Sequence, residues 1–375
     1  MKTHSTTHPI RPAEGRRAWR TATVGMAFGV ILASSCFAKS DKPAAREYEF
    51  FPPPPDPPRL QFLASFNSER EMGSKPSRSF RSWVTGRESP KKEIDKPYGA
   101  AVHGHKIYIC DTGYGAILVA DLKERSMSIF EAQGQGRLLL PLNLAIDDDG
   151  TFYVADSGRN QIVIFDKDQH YVAAIGKLGE MKPRDVAVSK DRIFVADMQG
   201  QKVHVFDKRT REPLFAIPRD AEATEEKAQL HMPTNMALDN KGRLYVSDTG
   251  GFRIQVYDAA TGGYERTVGE MGDNLGQFAR VKGIAVDRES RLYAADALSQ
   301  VMQIFDDQGR LLTWFGQPEG SAAVQNLPAK VIVDYENVSY FKANVAPGFK
   351  VEYLVIVLNQ IGAHKVSVFG FGHEE

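Results

Sequence analysis

Cysteine is nearly absent from this chain: 375 residues contain only Cys36 and Cys110. A disulfide framework is therefore excluded, because a single bridge at most could form, between the N-terminal segment and the body. Long apolar runs are missing too. No stretch reaches the ~18 uninterrupted apolar residues that a membrane-spanning helix needs. Net charge is also lacking, with 47 basic and 47 acidic side chains. That balance hides an asymmetry, since residues 1–35 hold five bases and one acid and the remainder carries about −4. A mildly acidic body has no electrostatic reason to bind nucleic acid, whose recognition rests on neutralising phosphates. What is present is an apolar fraction of 42% and a charged fraction of 25%, those of a soluble globular chain.

The N-terminus reads as an address. A basic region ends at Arg20, and a short, mostly apolar stretch follows from Ala22 to Leu32. Leu32-Ala33-Ser34-Ser35-Cys36 resembles the lipobox of bacterial lipoproteins, with Ala33 where that pattern prefers Leu. The resemblance implies that residues 1–35 are a removable signal peptide and that Cys36 takes a lipid. Phe37 after the cysteine, instead of Asp, implies outer-membrane sorting by the rule of enteric bacteria. Next comes Phe51-Pro52-Pro53-Pro54-Pro55-Asp56-Pro57-Pro58. Such a run is expected to be polyproline II, rising ~3.1 Å per residue, so that residues 36–58 form a stiff stalk.

From residue 97 the chain repeats itself. Six segments open on Pro or Val: Pro97-Tyr98-Gly99, Pro141-Leu142-Asn143, Pro183-Arg184-Asp185, Pro233-Thr234-Asn235, Val281-Lys282-Gly283 and Pro328-Ala329-Lys330. Their starts lie 44, 42, 50, 48 and 47 residues apart. Each opens a short apolar strand, followed in five of them by a second strand ending on Asp111, Asp156, Asp197, Asp248 or Asp296. A third strand closes on an aromatic and Asp, as in Ile162-Val163-Ile164-Phe165-Asp166, and a fourth ends on Gly. Four strands per repeat are one propeller blade, and blades stack because one sheet cannot bury both faces alone.

These motifs resemble NHL repeats across residues 97–370. The Gly-His and Trp-Asp marks of WD40 blades and the Gly-Gly pair of kelch blades do not recur. The resemblance implies an all-β, six-bladed β-propeller over residues 59–375. Blade six departs from the pattern: its first two strands are separated by an aromatic insertion, and the chain ends after its third strand. Leu60–Phe66 looks like the missing fourth strand, so an N-terminal strand is expected to close the ring and remove its edges. Between this strand and blade one, Ser77 could cap a short helix presenting Phe80, Trp83 and Val84.

Candidate chemistry is sparse. Asp before Thr-Gly or Ser-Gly at a strand end more often fixes its own turn than holds a metal. Cys110 occupies a position filled elsewhere by Ala or Ser, a buried small side chain. The zinc-dependent amidating lyases, also NHL propellers, place His beside the blade-opening Pro, and no blade here does so. The six-bladed calcium-dependent lactonases use Glu, Asn and Asp around the channel mouth, where Asn143, Asp185 and Asn235 are the nearest counterparts. They lie one residue later than the Asn of those enzymes, and one residue turns a strand side chain to the other face. Arg184, Lys282 and Lys330 would repel a bound cation. No metal or cofactor is therefore expected.

What remains is a mouth lined by Tyr98, Asn143, Arg184, Asp185, Asn235, Lys282 and Lys330. The blade-six insertion offers a rival surface in Tyr340, Phe341 and Phe349, aromatics of the kind that anchor interfaces. The expected protein is a lipid-anchored, extracytoplasmic binding or scaffolding module that recognises a protein or anionic ligand at the cell envelope. Its alternative is a divalent-metal-dependent hydrolase of lactonase type, or a lyase, working in the central channel.

Overall fold

The computed structural model describes residues 48–73, 93–130, 132–177, 179–219, 225–316 and 321–375. Cys36, the signal segment and the helix anticipated around Phe80 and Trp83 lie outside them. Six small antiparallel sheets form the six blades of a β-propeller. Their first strands are Pro97–His103, Pro141–Ile146, Pro183–Val188, Pro233–Leu238, Val281–Val286 and Pro328–Asp334. Each is a sheet's inner edge and lies beside the first strand of the next blade, so the six surround a common channel.

Alternating apolar residues on both faces of each blade build the core between blades. Six apolar clusters correspond to the six blade-to-blade interfaces. Between blades one and two, for example, Tyr108, Cys110 and Val119 meet Leu144, Phe152 and Phe165. Cys110 is fully buried there and burial pushes its thiol well up, as suits a small packing residue.

The ring closes as the repeat pattern requires. Leu60–Phe66 pairs with the last strand, Val366–Glu374, from Leu60 opposite Phe371 to Phe66 opposite Val366. Blade six then gains a fifth strand, Phe50–Phe51, paired with Leu60 and Gln61. Phe51 is buried against Phe315 and Phe369. The Glu49 carboxylate accepts the Ser321 hydroxyl and the Ala322 and Ala323 amides. Residues 48–58 are therefore not the free rod expected of a stalk. The two phenylalanines preceding the prolines carry enough apolar area to hold this segment against blades five and six.

The aromatic insertion is corrected in the same way. Phe341 is buried in the cluster between blades six and one, and Phe349 is buried edge-on to Phe50 at 5.4 Å. Only Tyr340, 39% exposed, faces solvent. Two of the three supposed anchors thus belong to the core, because the insertion folds as a 3-10 turn (Val338–Asn344) across the closing strand.

Candidate functional site

The turn aspartates explain how each blade presents its first strand. Asp156 accepts the amides of Leu139 and Leu140, just before Pro141, and those of Gly158 and Arg159 after it. Asp111 binds Asp95, Lys96 and Gly113 likewise. Asp248 binds His231 and Met232, and Asp296 binds Ala279 and Arg280. In blade six Asn359 takes over, accepting the Asn326 amide at 3.0 Å. The ring of carboxylates is a structural clamp, as its recurrence suggested. It fixes the approach of every strand to the channel.

Beyond the clamp each first strand is irregular. The register slips between the opening residue and the second or third residue after it: Pro97/Gly99, Pro141/Asn143, Pro183/Asp185, Pro233/Asn235, Val281/Ile284 and Pro328/Lys330. A bulge breaks strict side-chain alternation and re-aims side chains. The one-residue offset that argued against Asn143, Asp185 and Asn235 as channel residues therefore loses its force. Residues from both positions after the opening meet at the axis.

Deepest lie Asn143, Asp185 and Asn235, each no more than 1% exposed, on three consecutive blades. Asp185 accepts the Val186 amide at 2.8 Å and, across to blade four, the Met236 amide at 2.8 Å. Lys330 comes from the opposite blade and sets its Nζ 3.6 Å from Asp185 Oδ2. Burial pushes the Asp185 carboxyl up, opposed by Lys330 and by the two amides. Both side-chain polar atoms of Asn143 and of Asn235 are buried with no partner among the described residues.

Toward solvent, Lys282 donates to Gln360 Oε1 at 2.8 Å and sits 5.6 Å above the Tyr98 ring. Burial, with Arg280 and Arg184 adding repulsion, pulls the Lys282 ammonium down to about 8. Burial pushes the Tyr98 phenol up, against the pull of Arg184. The Arg184 Nε reaches Met198 Sδ at 3.2 Å.

Of the seven residues read from the sequence, Lys330 meets Asp185, Lys282 meets Tyr98 and Arg184 acts on both Tyr98 and Lys282, while the side-chain polar atoms of Asn143 and Asn235 touch no partner among the described residues. Arg280 and Gln360 were missed. Gln360 could have been found, because it follows Asn359 as Met198 and Thr249 follow their aspartates. That position repeatedly touches the mouth: Met198 on Arg184, Thr249 on Thr234 at 2.7 Å.

Chemically, the arrangement offers one carboxylate whose proton affinity burial raises, the Lys282 amine drawn down to about 8, three further cationic side chains (Arg184, Arg280 and Lys330) and two unpartnered amides. Asn143, Asp185 and Asn235 would be the oxygen donors for a hard divalent cation. Their set does not fit one. It holds a single carboxylate, and the Lys330 ammonium already stands against that carboxylate. Among the described residues no group of three or more His, Cys, Asp or Glu could hold a metal ion. Among the described residues, His204 pairs with Asp197 at 3.0 Å and His364 with Ser65 at 2.7 Å.

Residues 99–323 match the family described as SMP-30/Gluconolactonase/LRE-like region. A probable peptidyl-α-hydroxyglycine α-amidating lyase of Caenorhabditis elegans is 29% identical over 218 residues, covering 49% of this chain and 62% of that protein. Protein brain tumor of Drosophila melanogaster is 29% identical over 154 residues, covering 39% of this chain and 14% of that protein. The chain thus spans under two thirds of either relative. Among solved structures, a gluconolactonase from Xanthomonas campestris superposes with a TM-score of 0.54 at 15% identity, over 87% of this chain and 98% of that one. A likeness at that identity is one of fold.

Proposed function

The chain belongs to the SMP-30/gluconolactonase/LRE-like family, and from that premise we propose that its channel mouth is a hydrolase or lyase active site for a small, anionic, carbonyl-containing substrate such as a carboxylated lactone. The observation that carries this reading is the pair of unpartnered amides beside Asp185. A core gains nothing from buried polar atoms without partners, which cost about 1–3 kcal/mol each. Such atoms suit a ligand's oxygen, held by the donors of Asn143 and Asn235 as charge develops on it. Asp185, its affinity for protons raised, is the base that takes a proton from an attacking water. The new C–O bond forms from that water, the ring C–O bond breaks, and Lys282 returns a proton to the departing alkoxide. Arg184 and Arg280 hold the substrate's anionic group.

The relatives support a hydrolase or lyase better than the scaffold anticipated from the sequence. The cationic mouth does keep one part of that anticipation, an anionic ligand. NHL-type repeats remain a finer assignment within the six-bladed class.

The test is hydrolysis of a panel of small lactones and aryl esters, with and without a carboxylate, by the purified full chain. Turnover should favour carboxylated members. It should fall at least ~100-fold in Asn143→Ala and Asn235→Ala with melting unchanged, the size of losing an oxyanion donor. Arg184→Ala should raise KM for carboxylated substrates alone. No turnover across the panel, or full turnover in both folded variants, overturns the reading.

We further propose that Cys36 carries a lipid that tethers the propeller outside the cytoplasm, at the outer membrane, where a protein partner of the cell envelope is within reach. The lipobox-like residues before Cys36 support the anchor. Wild type should incorporate labelled fatty acid and fractionate with membranes. Cys36→Ser fractionating in the same way would refute it.

A further inference from the structure

The ring positions two residues after each blade opening are Gly99, Asn143, Asp185, Asn235, Gly283 and Lys330. Their order is a statement about charge. Three oxygen-bearing side chains occupy one side, and the single lysine occupies the blade facing the middle one. The glycines flank that lysine. A Cβ on Gly283 would lie 2.4 Å from the Lys330 Cα, so the absence of a side chain there is what lets the blade-six strand come so near. A Cβ on Gly99 would meet the Asn143 side chain at 2.1 Å. Both glycines therefore draw the ring in around the Asn143–Asp185–Lys330 line. Lys330 and Asp185 are 8% and 1% exposed, and 3.6 Å separates Nζ from Oδ2.

Any cation held by Asp185 with Asn143 or Asn235 would need carboxylate and amide oxygens at ~2.3–2.6 Å. It would then lie within a few ångströms of a covalently tethered positive charge in a dry site. Repulsion at that range is many times thermal energy. The lysine cannot withdraw without leaving Asp185 buried and unpaired.

We propose that the Lys330 ammonium is a built-in replacement for the divalent cation of the lactonase-type channel, so that this site excludes metal ions and presents an N–H donor to a substrate's carbonyl oxygen. Only the second half rests on the hydrolase or lyase reading. The exclusion of metal concerns the channel whatever it does. The ligand chemistry that follows is a carbonyl or carboxylate oxygen reaching Lys330 between the amides of Asn143 and Asn235. A sugar held by hydroxyls alone would leave the ammonium without an acceptor of comparable strength.

The experiment reads ion binding, not turnover. The purified full chain is equilibrated with calcium, magnesium or zinc chloride at ~1 mM, the range of the weakest protein calcium sites. Free ion is then removed, retained metal is measured by mass spectrometry, and melting is followed with and without each ion. Wild type should retain none of the three and melt unchanged. Lys330→Arg should behave the same, because the charge remains. Lys330→Glu should gain calcium, with melting raised by about 5 °C at ~100 times the dissociation constant. Lys330→Gln should gain a smaller shift of the same sign, and it serves if the Glu variant does not fold.

Stoichiometric metal in wild type that is lost in Asn143→Ala overturns the proposal. So does calcium binding by Lys330→Arg, or the absence of any gain in folded Gln and Glu variants. A chain inactive on every lactone could still pass all of these, and an active hydrolase could fail them.

Discussion

The turn aspartates and the channel trio are equally hidden from water, yet their surroundings differ completely. Asp156 receives four backbone amides at 2.7–3.0 Å. Asn143, equally buried one strand away, receives none among the described residues. Asp185 stands between them, with two amides and a lysine from across the ring. Both sets come from the same repeat. The difference separates a polar group whose partner is the backbone, which holds the blade together, from one with no partner among the described residues.

That contrast can be broken by substitution, and the largest effect should come from the clamp. Asp156→Ala orphans four amides at the entry to blade two and should cost about 3–5 kcal/mol, the range for dismantling a buried network. Urea unfolding would read it as a lower midpoint with unchanged slope. A loss below about 1 kcal/mol would mean that the amides find other partners and that the clamp is incidental.

Asn143→Leu should do the opposite. Removing two unpartnered polar atoms at similar volume should leave stability within about 1 kcal/mol of wild type, or raise it, while ligand binding or turnover is lost. Strong destabilisation there would show that Asn143 has a structural partner and would remove the distinction between the rings.

The remaining effect is one of pH, and its sign follows from burial. The Lys282 ammonium is lowered in the folded state to about 8 from the ordinary lysine value of 10.5. The unfolded chain therefore holds the extra proton between those values, and stability should rise with pH across that window, by at most about 3 kcal/mol. The same loss of charge should weaken anion binding as pH climbs through about 8. Lys282→Met should abolish the stability rise, measured as melting midpoints from pH 7 to 10. A wild-type profile that the Met variant reproduces would assign the effect to another group.

Part of this contrast is legible in the sequence. The recurrence of Asp before a turn in five blades marked those carboxylates as structural, because a feature repeated in every unit serves the unit. Asn143, Asp185 and Asn235 were singled out in the sequence as the nearest counterparts of the lactonase donors, two residues after a blade opening. Arg280 was not, since it lies before the blade opening, outside the two positions read as facing the channel, where Lys96 and Lys182 stand in blades one and three. The insertion aromatics were misread because sequence gives aromatic content without saying whether a neighbouring strand covers it. Phe341 and Phe349 are covered, and Tyr340 is not.

The sequence by itself determined the period, the number of blades and the strand that closes them. Those are nearest-neighbour properties: each repeat states its own four strands and the face it offers to the next. Only the tertiary structure decided which blades oppose each other. Lys330 meets Asp185 because closing six units places blade six across from blade three, a relation that no local pattern encodes. Closure also decided that Phe50 and Phe51 become a fifth strand instead of the start of a rod, since their apolar surface finds cover only once blades five and six stand side by side. The bulges complete the division of labour. The alternation of a strand is written in its residues, but the slip that turns two successive side chains toward one channel arises from how each strand is clamped to its neighbour.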